Sequence, residues 1–460
     1  MNNISIQDSV LCKADKGLIP HIIPCLKYSR SRWKEGPYAK KEIVTPAYFI
    51  HQKSGFFLTG LLPRVCSFLL MKDIPFALKD SYEQLIPTKK PQLKGVQLRP
   101  DQQRLIENCV TNQRGIILSP TRSGKTVVAM GLMSMFPKAK ILFLCNTLDI
   151  INQTIAELKR FNFQDVAKLG GGSKEWIGKR IVVSTIQTFI KQDPYIYSDY
   201  FDITIVDEAH HCTGTWNSNK KTVNSQYGTV MCYSNSPVKI GFTATLPTTK
   251  VQLLSLEGLI GPVIGEVTQE ESIKLKITMK PKMQLIPVPY NKTIASNRKY
   301  ADLYRCGIVD NRIRNRLIAK CVKTKVEQGS TVLVMVKEIQ HGLNIQDIAL
   351  QVFGIDITFV QGATDADTRQ QTKDAFIKRH LKAVISTAVW REGVNIPSLN
   401  CTINAIGGKS EVMTLQAVGR GLTKMKGKVV AEIIDFLDPY KYLAEHCIYR
   451  LAIYSKNDWI

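Results

Sequence analysis

The stretch GIILSPTRSGKTVVAMGLMSMF, Gly115–Phe136, sets a β-branched apolar run against a helical pattern, with a Gly-Lys-Thr turn between them. Strand, loop and helix in that order are what a phosphate-binding loop requires, because backbone N–H groups and the helix start then face one anion. The usual G-x-x-x-x-G-K-[ST] pattern begins with a glycine where this chain has Ser119. Gly124 permits close backbone approach, Lys125 would reach the β- and γ-phosphate oxygens, and Thr126 would ligate Mg²⁺, with Ser123 counted among the nucleotide-binding residues. Taken alone, the loop reads either as a nucleotide cradle or as a chance Gly-Lys-Thr helix start.

Working outward, short β-branched runs alternate with helical patterns: KILFLCN (140–146), RIVVST (180–185), ITIVDE (203–208) and KIGFTAT (239–245). This rhythm marks an α/β unit with a parallel sheet. After the charged stretch TQEESIKLKITMKPK, a second alternation follows in STVLVMV, ITFVQG, KAVISTA, CTINAIG and VAEIIDF. The expected fold is therefore α/β, with two doubly wound parallel-sheet domains in tandem, at 91–268 and 285–445, joined by a linker at 269–284. Residues 446–460 read as a C-terminal tail.

At the tip of ITIVDE, Asp207 and Glu208 end a hydrophobic strand. One carboxylate there can hold Mg²⁺ through water while its neighbour orients and deprotonates an attacking water. Asp207 takes the metal role and Glu208 that of the base. Paired acids can also be a solvated loop, but not commonly downstream of a Lys-Thr loop.

Residues 1–90 read as a small basic α+β domain. KYSRSRWKEGPYAKK (27–41) interleaves cations with Tyr28, Trp33 and Tyr38, and Lys53-Ser54-Gly55 would turn a hairpin between two apolar runs. Arg32 and Trp33 suit contact with sugar-phosphate and stacked bases, and a small core with a solvated basic face explains the composition equally well.

Bulk properties agree with a soluble globular protein, 44% hydrophobic and 22% charged over 460 residues. The net charge of +24 points to a polyanionic partner, nucleic acid first, since clustered Lys and Arg displace phosphate counterions. Eleven cysteines are scattered without a C-x-x-C pair, as expected of reduced, mostly buried thiols. The start MNNISIQDSVLCKAD lacks the pattern of a secretory signal, and FFLTGLLPRVCSFLLM (56–71) is broken by Pro63 and Arg64. A soluble intracellular, cytoplasmic protein without membrane contact is the expectation, in a host cytoplasm if the source is viral.

SPTRSGKT, VDEAHH, FTATL, STAVWREGVNIP and LQAVGRG together resemble motifs I, II, III, V and VI of superfamily 2 helicases, co-linear from Leu98 to about Asp438. The phrases VKEIQHG, AVWREGVNIPSLN and GGKSE are similar to UvsW-like branch-migration helicases of bacteriophages and, more distantly, to XPB-like and type III restriction translocase motors. The resemblance implies RecA-like domains, ATP and Mg²⁺ as cofactors, DNA as partner, and a motor that works as a monomer. It makes Gln102 in LRPDQ the adenine-sensing amide. Thr147, Ser184, Thr185, Gln187 and Thr387 would touch the phosphate backbone, and Gly393 would lie near the nucleotide. Thr243 and Thr245 would link nucleotide state to domain movement. Gln416 and Arg420 would face the γ-phosphate, Arg420 as a finger that stabilises transition-state charge. Trp390 would either stack on a base or plug an interface.

Two departures stand out. Thr423 occupies the position where motif VI commonly has a second arginine, and Asn395 stands where motif V often has aspartate. The activity implied is ATP-dependent unwinding or branch migration of forked and Holliday-junction DNA, with 3′ to 5′ movement. An RNA helicase of the DEAH type and an ATP-gated nucleic-acid clamp are the alternatives.

Overall fold

The computed structural model describes residues 2–35, 40–79, 84–88, 90–91, 93, 95–120, 123–173, 175–275, 277, 279–297, 299–387, 390, 396, 398–409 and 431–460. The chain divides into two compact units: Met1–Ser119 with Gly124–Val267, and Thr268–Ile460 grouped with the short stretch Pro120–Ser123.

The first unit opens with β1 (Asn3–Ile6) and β2 (Leu11–Ala14), then the helix Ile19–Leu26. β3 (Lys27–Glu35) and β4 (Lys40–Tyr48) form a separate antiparallel ribbon running from Lys27 opposite Tyr48 to Glu35 opposite Lys40. β5 (Phe56–Leu58), the helix Leu62–Met71 and β6 (Ala77–Lys79) complete this part, and the small sheet has the order β5-β2-β1-β6. The turn at 52–54 is closed by an Ile50–Phe57 bridge, as the Lys-Ser-Gly signal suggested, but β5 then pairs with β2.

The large sheet of this unit contains β7 (Arg114–Leu118), β8 (Ile141–Cys145), β9 (Val166–Leu169), β10 (Ile181–Thr185) and β11 (Ile203–Asp207). A short hairpin, β12 (Trp216–Asn217) and β13 (Thr222–Val223), precedes β14 (Val238–Thr243) and β15 (Val263–Glu266). The order is β15-β7-β14-β11-β8-β10-β9, and every pairing is parallel. Unbroken runs such as Ile141–Cys145 and Ile181–Thr185 are buried at every position, because helices cover both faces of such a sheet.

The N-terminal part and this sheet share one apolar cluster, in which Phe57, Leu58 and Leu61 join Leu254, Leu256 and Leu259 of the helix Lys250–Leu259. Arg64 clamps Glu257 of that helix with two bonds, Nε to Oε2 at 2.6 Å and Nη2 to Oε1 at 2.7 Å. A Cβ added at Gly60 would lie 2.1 Å from the Glu257 carbonyl oxygen, so only glycine permits this backbone approach.

The second unit has β16 (Pro281–Pro287), β17 (Val332–Met335), β18 (Thr358–Val360), β19 (Ala383–Ser386), β20 (Cys401–Asn404) and β21 (Ala431–Leu437) in the order β16-β21-β20-β17-β19-β18, again all parallel. β16 takes in the last residues of the stretch expected to be a linker. The expected tail at 446–460 is corrected: the helix Lys441–Lys456 runs through it, with Tyr454 fully buried and Trp459 packed on Tyr454. Arg450 explains the error, since a cation in a short C-terminal stretch reads as solvated, whereas here it is buried against Asp435 at 2.8 Å.

His341 also lies wholly inside this unit, its Nε2 3.0 Å from Asn315 Oδ1. Asn315 Nδ2 donates to the Val309 carbonyl, which leaves Oδ1 as acceptor and places the imidazole proton on Nε2. Burial, reinforced by the nearby Arg314, pushes the His341 pKa well below its ordinary 6.5. The unfolded chain therefore takes up a proton near pH 6.5 that the folded chain refuses, so stability is full above that pH and falls below it. Urea unfolding is expected to show a loss of about 1 kcal/mol between pH 7 and 5.5 from this group, and His341→Gln should flatten that slope.

Seven of the eleven cysteines are buried and the other four half-buried. Among the described residues, no helix is long and apolar enough to cross a membrane.

Candidate functional site

Three neighbouring parallel strands, β7, β14 and β11, deliver the motif residues to one edge of the first large sheet. Ligands bind outside the carboxyl ends of such strands. The Ser119 amide donates to the Thr243 carbonyl at 2.9 Å, so the loop departs in register with β14. Ser119 is buried at this joint, which explains why a small side chain suffices where glycine is usual.

Gly124 has φ +94, a left-handed conformation that favours glycine, and a Cβ there would stand 2.6 Å from Gln102 Nε2. The Gln102 side chain is buried against the loop, and its Oε1 accepts from the Arg99 amide at 3.2 Å. The helix Lys125–Met135 begins at once, with Lys125 and Thr126 half-buried in its first turn.

Lys125 Nζ lies 3.9 Å from Glu208 Oε1, both side chains 12% exposed. Nζ is buried without a hydrogen-bond partner among the described residues, which fits an ammonium kept for phosphate oxygens. Glu208 sits at φ 50, ψ 52, a left-handed conformation uncommon for a residue with a side chain. Asp207 ends β11 one residue earlier, half-buried. One carboxylate and the Thr126 hydroxyl are the sparse protein contribution that Mg²⁺ accepts when phosphates and water fill its other positions.

His210, which no reading of the sequence had singled out, ties the site together. Its Nδ1 lies 3.3 Å from Glu208 Oε2 and 3.0 Å from Thr243 Oγ1. Thr243 donates its own proton to the Thr245 carbonyl at 2.9 Å, so the bond from the ring must be Nδ1–H to Oγ1. The ring thus stands between the acid of motif II and the threonines of FTATL, with its Nδ1 proton given to Thr243. The available signal was position alone, two residues beyond the base.

The residues expected on the phosphate backbone divide. Thr147 and Thr185 cap helices, accepting from the amides of Ile150 and Thr188, each at 3.3 Å, and Gln187 is exposed. Ser184 is a correction: it is fully buried and its hydroxyl serves the carbonyls of Leu169 and Thr185. Its hydroxyl is thus occupied within the sheet, against β9. Trp390 is a second correction, 1% exposed and stacked on Phe376 at 6.0 Å within the core of the second unit. A ring so placed fills core volume and presents no face to a base. Thr387 is buried just beyond β19. Gly393, Asn395, Gln416, Arg420 and Thr423 lie outside the described residues, as do the side chains of Arg32 and Trp33, whose strand positions alone are described.

Comparison with known proteins accords with this geometry. Residues 95–248 match the family described as "Type III restriction enzyme, res subunit", and residues 313–422 the "Helicase conserved C-terminal domain". The chain is 26% identical over 343 residues to the ATP-dependent DNA helicase uvsW of Enterobacteria phage T4, covering 72% of this chain and 66% of that protein. It is 24% identical over 373 residues to the DNA 3'-5' translocase XPB2 of Sulfurisphaera tokodaii, covering 74% and 82%. Among solved structures, a fragment of a putative HsdR subunit of a type I restriction enzyme from Vibrio vulnificus has a TM-score of 0.58 at 17% identity, over 86% of this chain and 71% of that one. Two RecA-like parallel sheets, the linked residues of motifs I, II and III, and these two matched domains place the chain in superfamily 2 of the helicases, ATP-hydrolysing enzymes.

Proposed function

We propose that the protein is an ATP-dependent DNA helicase or translocase that moves 3′ to 5′ and unwinds or branch-migrates forked and Holliday-junction DNA in recombination, repair or replication. The observation that carries the reading is the chain of contacts Lys125, Glu208, His210, Thr243, which joins a phosphate-binding ammonium to a catalytic acid and then to a coupling motif. Direction and DNA preference draw support from the names of the phage helicase and the archaeal translocase.

In this reading ATP and Mg²⁺ occupy the loop: Lys125 binds β/γ oxygens, Thr126 and Asp207 hold the metal, and Gln102 recognises the base. Bound Mg²⁺ supplies neutralisation of the charge that develops on the phosphates. Glu208 takes the proton of the attacking water, and His210 stands between that carboxylate and Thr243. By the resemblance of LQAVGRG to motif VI, Gln416 and Arg420 are assigned to the γ-phosphate. Thr147, Thr185, Gln187 and Thr387 hold one strand, through hydroxyls and amides that bind phosphate without reading sequence.

ATPase and unwinding assays on single-stranded, forked, three-way and Holliday-junction DNA test this, with a matched RNA oligonucleotide alongside. Stimulation by DNA, greatest on branched substrates, is expected. Equal turnover without nucleic acid would remove the motor reading, and stronger stimulation by RNA would move it to the RNA class.

A further inference from the structure

A cleft of about 420 Å³ opens in the first unit where the root of the β3–β4 ribbon meets the helix Lys250–Leu259. Its walls are Lys27, Tyr28 and Ser29 on one side and Thr249, Lys250 and Val251 on the other. Lys27, Ser29, Thr249 and Lys250 are all exposed, while Tyr28 is buried behind them. Among the described residues, no carboxylate lines the cleft. The acid of the same helix, Glu257, is already engaged by Arg64.

We propose that this cleft seats the backbone phosphates of duplex DNA, an inference that rests on the DNA-motor reading. Two ammonium groups and two hydroxyls facing one space, with no acid among them, suit a phosphodiester and little else of comparable size. The helix wall is fixed to the N-terminal part by the Arg64–Glu257 clamp and the Gly60 contact, and Tyr28 of the ribbon wall packs on Phe49 in the same apolar cluster, so the seat exists before DNA arrives.

The ribbon argues for a duplex rather than a single strand. Nine paired positions extend about 30 Å, enough to cross a major groove of about 12 Å, which admits a two-stranded ribbon. The ribbon carries Lys27, Arg30, Arg32, Lys34, Lys40 and Lys41 against Glu35 and Glu42 only. With the ribbon along a groove, the strand bordering it passes the ribbon root, where the cleft lies.

The test uses the full chain with Lys27→Gln/Lys250→Gln, both exposed positions whose loss leaves the core intact. Duplex affinity is read by fluorescence anisotropy without ATP over a salt series, and ATPase stimulation by single-stranded DNA is read separately. Each phosphate contact contributes about 0.9 to the slope of log affinity against log salt. The double variant is expected to lower that slope by about 1.8 on duplex, with single-strand-stimulated ATPase unchanged.

A control pair, Lys16→Gln/Lys72→Gln, removes two exposed lysines outside the cleft and is expected to leave the slope as it is. An unchanged slope in the cleft variant overturns the proposal, as does an equal fall in the control or an equal loss of single-strand binding. A wild-type ATPase indifferent to all nucleic acid would instead remove the motor reading, while the duplex measurement would still report on the seat.

Discussion

Glu208→Gln is expected to cut ATP turnover by about 10³-fold while leaving nucleotide binding almost intact, since general-base catalysis contributes about 10² to 10⁴. The substitution keeps the shape of the side chain, so the left-handed turn at φ 50, ψ 52 and the neighbouring His210 ring need not move. What is lost is the negative charge that would accept a proton from water. Lys125, 3.9 Å from that carboxylate, loses this counter-charge.

The variant should therefore hold ATP and remain bound to DNA, a state readable as a normal nucleotide affinity with single-turnover hydrolysis slowed as much as steady-state turnover. Lys125→Ala, by contrast, should fail at binding, because it removes the ammonium itself. A Glu208→Gln protein that hydrolysed ATP at the wild-type rate would show that another group is the base.

The second large effect concerns stability. Arg314→Leu is expected to destabilise the second unit by about 3–5 kcal/mol, the cost of stranding one member of a buried ion pair. Arg314 and Asp438 are both completely buried, with Nε to Oδ1 at 2.8 Å, and Arg314 Nη1 also donates to the Ala405 carbonyl at 3.1 Å. The guanidinium lies 5.0 Å from the centre of the Phe436 ring.

Burial raises the Asp438 pKa even though Arg314 pulls it down, so the carboxylate depends on its partner to stay charged. Without Arg314 the acid would prefer its proton. A carboxyl whose folded pKa is raised is favourable below the unfolded value and becomes a liability as pH rises through the folded one. The deficit of Arg314→Leu should thus shrink as pH falls from 7 toward 4. Adding Asp438→Asn should recover part of it at pH 7, because the stranded charge is gone. Urea titrations of the single and double variants measure both effects, and a single variant within 1 kcal/mol of wild type would contradict this account of the pair.

Much of the site was legible because its chemistry is local in the chain. Gly124, Lys125 and Thr126 are consecutive, and Asp207 and Glu208 are adjacent, so the turns that present them are encoded within a few residues on either side. The strands were legible for the same reason: a parallel strand covered on both faces needs an unbroken apolar run, and few other structures do.

His210 was not legible in that way: Glu208 is two residues away, but its hydrogen-bond partner Thr243 is brought to it only by β14, the neighbour of β11 in the sheet. Trp390 and Ser184 failed for a related reason. A tryptophan beside a motif and a serine in a motif look the same in sequence whether they face ligand or core, and only packing on Phe376, or on the Leu169 carbonyl, decides.

The amino-acid order by itself determined the class of fold, the nucleotide loop and its acid pair, because strand periodicity and turn chemistry act over short distances. The tertiary structure alone decided that Arg450 and Tyr454 belong to a core rather than a tail, and that Ser119 is a buried joint rather than a defect. It also fused the N-terminal part to the first sheet through Arg64, Glu257 and Gly60. Each of these depends on contacts between residues distant in the chain, whose free energy exists only once the apolar surfaces around them have been buried together.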